Sequence, residues 1–318
     1  MTDLRSGVRA ASRTLAEAGV PSPDADALEL AAHVLGLETG EVRRRMVLGG
    51  TTLPDAYARL VDERAARVPL QHLTGRAHFR RLTLSVGPGV FVPRPETEVL
   101  VELALAEVDR LLRPPAPGLP APNESFGAEN GGAPARSVPT DAFGTERVVR
   151  FVDLCSGSGA IPLAVKDERP DVEVRGVELS PDAHAWSVAN RDRLGLDVDL
   201  VEGDASGPCL PDWEGRVDVV TVNPPYIPVG QVPLDPEVRD HDPEVALYGG
   251  SEDGLAIPLA VARRAADLLR PGGLLLVEHA DSQGESLPAR LARTGLWVDV
   301  ADHEDLAGRP RVTTARRV

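Results

Sequence analysis

The chain has 318 residues, 42% of them hydrophobic, too many for one typical domain and enough for a large core. It carries 34 Lys and Arg against 49 Asp and Glu, a net charge of -15, so it binds a phosphate backbone poorly and no direct nucleic-acid partner is expected. Two cysteines, Cys155 and Cys209, exclude a disulfide-dense scaffold, the scattered histidines give no metal-ligand spacing, and no apolar run reaches membrane-span length. The N-terminus shows no basic segment followed by an apolar one, so a cytoplasmic, monomeric protein without metal or membrane partner is expected.

Residues 1–70 read as a small helical bundle. Leu4, Val8, Ala11 and Leu15 recur at helical spacing up to a stop at Gly19. Ser22-Pro23 caps a second helix that runs to Leu35 and ends at Gly36. Residues 40–47 and 54–67 complete the set. Residues 71–94 read as a hairpin connector, with strand-like alternation over 78–84 and a turn at Val86-Gly87-Pro88-Gly89-Val90. Pro93-Arg94-Pro95-Glu96-Thr97-Glu98 opens a helix to about Leu112, with its acids matched to the positive helix end. Residues 113–147 hold seven prolines and five glycines among 35 and almost no bulky apolar side chains. Such a stretch buries too little surface to offset the entropy of ordering, and a disordered insertion is expected.

From Val148 the pattern alternates. Strands are expected at 148–154, 172–177, 198–201, 217–222 and 274–277, with late strands at 297–300 and 312–316. Helices are expected at 159–168, 181–194, 255–269 and 283–293, the third stopped by Arg270-Pro271-Gly272-Gly273. The β-α-β-α order implies a doubly wound, mostly parallel sheet, whose ligands bind at the carboxyl ends of the strands.

Four successive strand ends carry ligand-compatible groups. Asp153-Leu154-Cys155-Ser156-Gly157-Ser158-Gly159 follows the first strand. Pro162 stands at the third-glycine position of the dinucleotide fingerprint, which disfavours NAD, and no P-loop motif occurs. A ligand with an amino-acid moiety fits better: its carboxylate meets helix-end amides and Asp153 attracts its ammonium. Glu178 ends the second strand, placed to accept from both hydroxyls of a ribose. Asp204 follows the third, where an acid or a neighbouring amide could meet an adenine amine. The fourth ends at Asn223-Pro224-Pro225-Tyr226, where two prolines stop the ladder and stiffen the turn. The Asn223 carbonyl can accept from an NH2 group, and Tyr226 offers a flat face to a planar one. S-adenosylmethionine is the cofactor this set fits, and an amide or exocyclic amine is the acceptor. Arg94 and the helix start after it are read either as an ordinary acidic helix end or as the lid of the site.

The segment 153–159 resembles motif I of class I S-adenosylmethionine-dependent methyltransferases. Asn223 to Tyr226 resembles the motif shared by adenine-N6 DNA enzymes and glutamine-N5 protein enzymes. The wider set resembles the PrmC/HemK family of peptide chain release factor glutamine methyltransferases: residues 69–75 (PLQHLTG), 91–98 (FVPRPETE), 223–227 (NPPYI), 244–247 (EVAL), 253–255 (DGL) and 308–311 (GRPR). The resemblance implies a seven-stranded methyltransferase domain over 95–318 and an N-terminal helical domain that helps bind the partner, a class-I release factor. It also implies an acceptor, the glutamine of the Gly-Gly-Gln motif. By position, Cys155 to Gly159 would cradle the methionine part, Glu178 the ribose, Asp204 and Ala205 the adenine, and Asn223, Pro224, Pro225 and Tyr226, with Arg94, the glutamine amide. The chain departs from the family at Cys155-Ser156 and Ser158, where members often carry Gly-Thr and Thr, and at Ala205, where some carry a large aromatic. Rival readings are an exocyclic amine in nucleic acid, a glutamine in a ribosomal protein, and a non-enzymatic cofactor-binding scaffold.

Overall fold

The computed structural model describes residues 2–113 and 148–318; the insertion expected at 113–147 falls, apart from Arg113, outside the described residues. The N-terminal helical domain starts with a two-residue strand, β1 (Thr2–Asp3), and α1 (Leu4–Glu17). The Asp3 carboxylate accepts from the Ser6 amide at 3.0 Å and caps α1, which buries Leu4, Val8, Ala11 and Leu15. Helix α2 (Pro23–Leu35) has Pro23 in its first turn and ends on Gly36 at φ 62°, the left-handed conformation that favours glycine. Next come α3 (Thr39–Leu48), β2 (Thr52–Leu53), which pairs antiparallel with β1, α4 (Asp55–Ala65) and the short α5 (Leu70–Thr74). Leu15, Ala27, Leu30, Val42 and Tyr57 form the core of this layer.

The connector is a hairpin, but its turn is not where the glycines lie. Strands β3 (Arg76–Phe79) and β4 (Leu82–Ser85) pair with Phe79 opposite Leu82, so the chain reverses at Arg80-Arg81 and residues 86–92 form no strand pair. Arg80 takes φ 50° there, and its guanidinium donates to Glu168 at 2.5 and 3.0 Å and to Glu102 at 3.2 Å. Long-range ion pairing stabilises a turn residue that local propensity disfavours.

The rest of the chain opens with α6 (Thr97–Leu112) and continues with β5 (Arg150–Leu154), α7 (Ala160–Glu168), β6 (Glu173–Glu178), α8 (Pro181–Leu194), β7 (Asp199–Glu202) and β8 (Val217–Val222). It closes with α9 (Pro236–His241), α10 (Ala256–Leu268), β9 (Leu269–Glu278), α11 (Ser286–Ala292), β10 (Trp297–Glu304) and β11 (Pro310–Arg317). The sheet runs β7-β6-β5-β8-β9-β11-β10, parallel from β7 to β9, with β11 antiparallel to both β9 and β10. Helices cover both faces. Leu100, Leu105, Leu163 and Phe151 pack on one side, Leu268, Leu275, Leu287 and Val220 on the other. All six residues of β8 are buried, as expected of a central parallel strand. Arg270-Pro271-Gly272-Gly273 is not a turn that precedes the strand. It lies inside β9 as an irregularity, because Val217 pairs with Leu269 while Val219 pairs with Leu274. Strand order reverses between β5 and β8, and the crevice beyond their carboxyl ends is the switch point of the sheet. No described helix is long and apolar enough to cross a membrane.

Two arginines join the helical domain to α9. Arg64, 3% exposed, donates to Asp26 at 2.7 Å within its own domain and to Glu237 at 2.8 Å across the junction. Arg67 reaches Glu237 at 2.9 Å and Asp235 at 3.1 Å. Arg64→Ala leaves the buried Asp26 carboxylate without its cation and Glu237 with Arg67 alone. The expected loss is roughly 3–5 kcal/mol of unfolding free energy, read from chemical denaturation; a change below about 1 kcal/mol contradicts it.

Candidate active site

A cavity of about 1180 Å³ lies at the switch point and extends under the helical domain, whose Pro21 and Ser22 contribute to its wall. Its floor is the turn after β5. Cys155 stands at φ 69°, and the Cys155 and Ser156 amides both donate to the Val177 carbonyl at 3.0 Å. Gly157 has nothing within 4 Å of the place where a side chain would stand, so the cavity is open above it. Glu178, at the end of β6, braces this turn: its Oε2 accepts from the Gly157 amide at 2.7 Å and its Oε1 from the Ser180 amide at 2.8 Å. Each of these oxygens keeps a further lone pair for a ligand. Asp204 is exposed on the next loop, accepts from Ser206 through Oδ1, and is followed by the buried Ala205.

Asn223 begins the turn after β8. Its Nδ2 donates to the Thr97 hydroxyl at 3.3 Å, and the carboxyl of Glu278, at the end of β9, is a neighbour of both. Pro224, Pro225 and Tyr226 continue along the cavity wall. The turn is held from behind. Gln283 Nε2 donates to the Tyr226 carbonyl at 2.9 Å and to the Asp253 carbonyl at 2.8 Å. The Ile227 amide donates to the Leu247 carbonyl at 2.8 Å, and the Gly249 amide to the Ile227 carbonyl at 2.9 Å. Burial raises the Tyr226 phenol well above its ordinary value, so it stays neutral.

Cys155, Ser156, Gly157, Ser158, Glu178, Asp204, Ala205, Asn223, Pro224, Pro225, Tyr226 and Arg94 all reach the cavity. Asp153 and Gly159 do not form its wall. Asp153, expected to meet an ammonium group, is 0% exposed: its side chain points into the sheet, where Oδ1 accepts from the Thr221 hydroxyl at 2.7 Å and ties β5 to β8. Gly159 starts α7 at φ 82°, with Leu163 and Ser187 in the space a side chain would need. Arg94 lines the cavity, yet its guanidinium donates to Asp242 at 2.6 Å and lies 4.9 Å from the Phe91 ring centre, so its charge is already paired.

Glu278, Thr97, Arg311 and Gln283 received no role from sequence. Arg311 and Thr97 fall inside family-like segments, whereas Glu278 shows only as an acid after an apolar run, the same signal as Glu202. Burial raises both Glu278 and Asp153 to about 7. Their folded pKa values lie above the unfolded ones, so the native state binds more protons between about pH 4 and pH 7 and its stability falls as pH rises through that window. Carboxylates held low by arginines, such as Glu107 at about 2, lose their contribution only below about pH 4.5 and do not intervene. The melting temperature is therefore expected to fall from about pH 5.5 to pH 8, a loss on the order of a few kcal/mol. A flat or rising curve in calorimetry contradicts this.

Two family profiles match: the one described as PrmC N-terminal domain over residues 8–75, and the methyltransferase small domain over residues 140–234. A Streptomyces coelicolor protein named release factor glutamine methyltransferase is 45% identical, aligned over 100% of this chain and 99% of its own length. Proteins of the same name from Mycolicibacterium smegmatis and Deinococcus radiodurans are 42% and 38% identical, over 100% and 99% of this chain and 99% and 98% of their own. The geometry and these full-length relatives place the chain in the family of release factor glutamine methyltransferases.

Proposed function

We propose that this enzyme transfers a methyl group from S-adenosylmethionine to the side-chain amide nitrogen of the glutamine in the Gly-Gly-Gln motif of class-I peptide chain release factors. The observation that carries the reading is the Asn223 carboxamide on the cavity wall: its NH2 end is engaged by Thr97, which leaves Oδ1 to act as an acceptor. The shared name of the relatives supports the choice of acceptor.

The cavity fits the cofactor. The open space above Gly157 and the amide turn of Cys155, Ser156 and Ser158 suit the methionine end, the two Glu178 oxygens the ribose hydroxyls, and Asp204 with the small Ala205 the adenine. When bound, the cofactor supplies an electrophilic methyl on a sulfonium. An amide nitrogen is a weak nucleophile because its lone pair is delocalised. The Asn223 Oδ1 and the Pro224 carbonyl accept its two N–H bonds and turn the lone pair toward the methyl, and Tyr226 covers the amide plane. Positioning of this kind lowers a barrier by up to roughly 7–11 kcal/mol. The two acceptors would also stabilise positive charge that develops on the nitrogen. The nitrogen gains the methyl as the sulfur–methyl bond breaks to leave a neutral thioether, and it sheds one N–H proton to solvent. In this reading residues 1–70 bind the partner, 71–94 connect, 95–318 catalyse, and the enzyme works as a monomer in the cytoplasm.

Mass spectrometry of purified release factor, after incubation with the enzyme and S-adenosylmethionine, tests the reading. One added methyl on the Gly-Gly-Gln glutamine is expected. Methyl groups on nucleic acid or on another protein, with none on the release factor, overturn it.

A further inference from the structure

Glu278 lies on the cavity wall, 2% exposed, and its Oε2 has no hydrogen-bond partner among the described residues. The charged and titratable groups that face it are Arg311 from β11, Glu96 from the segment before α6, and the Tyr226 phenol from the turn after β8. Its polar neighbours are Thr97 and Asn223, and both favour the carboxylate. An isolated buried carboxylate is costly to maintain, which calls for a role.

We infer that Glu278 is a positioning residue for the transfer step: its carboxylate, acting with Thr97, holds the Asn223 NH2 inward so that Oδ1 faces the acceptor amide. This rests on the proposed reading of the site. A carboxamide has two ends of nearly equal size. Turned over, Asn223 would present its own NH2 to the acceptor NH2, and donor would meet donor. Thr97 cannot prevent this alone, because a hydroxyl both donates and accepts. A carboxylate only accepts. It draws the Thr97 proton toward itself, which leaves the Thr97 oxygen to accept from Asn223 Nδ2, the observed 3.3 Å contact. Protonated, Glu278 can donate instead, and the preference is lost. Burial first, then Glu96, push this carboxyl up, while Thr97, Arg311 and Asn223 draw it down, to about 7. The orientation is therefore secured above that pH and released below it.

The test follows methyl transfer to purified release factor across about pH 5.5–8.5 for the full-length enzyme, Glu278→Gln, Thr97→Ser and Thr97→Val. In the parent enzyme kcat should fall about tenfold per pH unit below about 7. Glu278→Gln should lower kcat at high pH by up to about 100-fold, flatten the acid limb, and leave KM for cofactor and release factor within about threefold. Thr97→Val should resemble Glu278→Gln, and Thr97→Ser, which restores the hydroxyl, should recover most of the rate that Thr97→Val loses. Asp153 titrates in the same range and is intact in every variant. An acid limb that survives in Glu278→Gln thus belongs elsewhere and overturns the inference, as does a loss that appears equally in the KM for cofactor. If the parent enzyme methylates no release factor, the functional reading fails and takes this inference with it. If the parent methylates and Glu278→Gln matches it in rate and profile, the inference fails alone.

Discussion

Asn223→Ala is expected to lower methyl transfer by on the order of 10²–10³-fold while cofactor affinity stays within about threefold. The asymmetry follows from position. Asn223 stands at the end of β8, whereas the turn that would hold the cofactor is built from Cys155 to Ser158 and braced by Glu178 and the Val177 carbonyl, and the hydrogen-bond partner of the lost carboxamide is Thr97 instead. Alanine removes an acceptor that matters most as charge develops on the amide nitrogen, so the loss belongs in kcat. Single-turnover transfer and equilibrium cofactor binding, measured separately, check this. A variant that turns over at the parent rate removes Asn223 from the chemistry, and one that loses both properties equally makes it a fold residue.

Gly254→Ala should cost about 100-fold or more in turnover although residue 254 contributes no side chain to the cavity. Gly254 sits at φ 71°, and a methyl there would lie 2.1 Å from the Tyr226 carbonyl oxygen and 2.9 Å from Gln283 Nε2. No rotamer relieves a clash with backbone, so the Asn223–Tyr226 turn must shift by about 1 Å, enough to spoil in-line geometry. The conformation itself adds roughly 1–2 kcal/mol of destabilisation. Gly215→Ala is the control: φ is 65° there as well, but nothing lies within 4 Å. Gly215→Ala should lose only the conformational share of stability and keep its rate, whereas Gly254→Ala should lose more stability and its rate as well. Near-parent turnover in Gly254→Ala contradicts the expectation.

These two positions show how far sequence reading extends. Asn223 is legible because its message is local: an apolar run, then an amide, then two prolines. Its glycine brace is not, since Gly254 meets the turn only after the chain has passed through α9 and folded back onto Ile227. The sheet was legible from alternation of strand and helix patterns, yet Pro271-Gly272-Gly273 imitates a turn, and only pairing with β8 shows it to be an irregularity inside β9. The connector misleads in the same way. Gly87-Pro88-Gly89 carries the stronger turn signal, while the actual reversal at Arg80 depends on Glu168, 88 residues away. Asp153 stands at a strand end, where side chains usually face a ligand, but the Thr221 hydroxyl draws its carboxyl inward. Glu278 acquires meaning only from Thr97 and Asn223, which β9 never meets in sequence.

The junction at α9 bears on the architecture as a whole. Arg64 and Arg67 fasten one end of that short helix, Arg94 fastens Asp242 just past the other, and the residues between contribute Val238 to the chamber. The amino-terminal quarter of the chain is thus masonry of the reaction vessel. A scissor cut at the connector would yield a catalytic fragment with a missing rampart and two stranded acids at the breach, which makes the division into two halves a matter of topology and not of self-sufficiency.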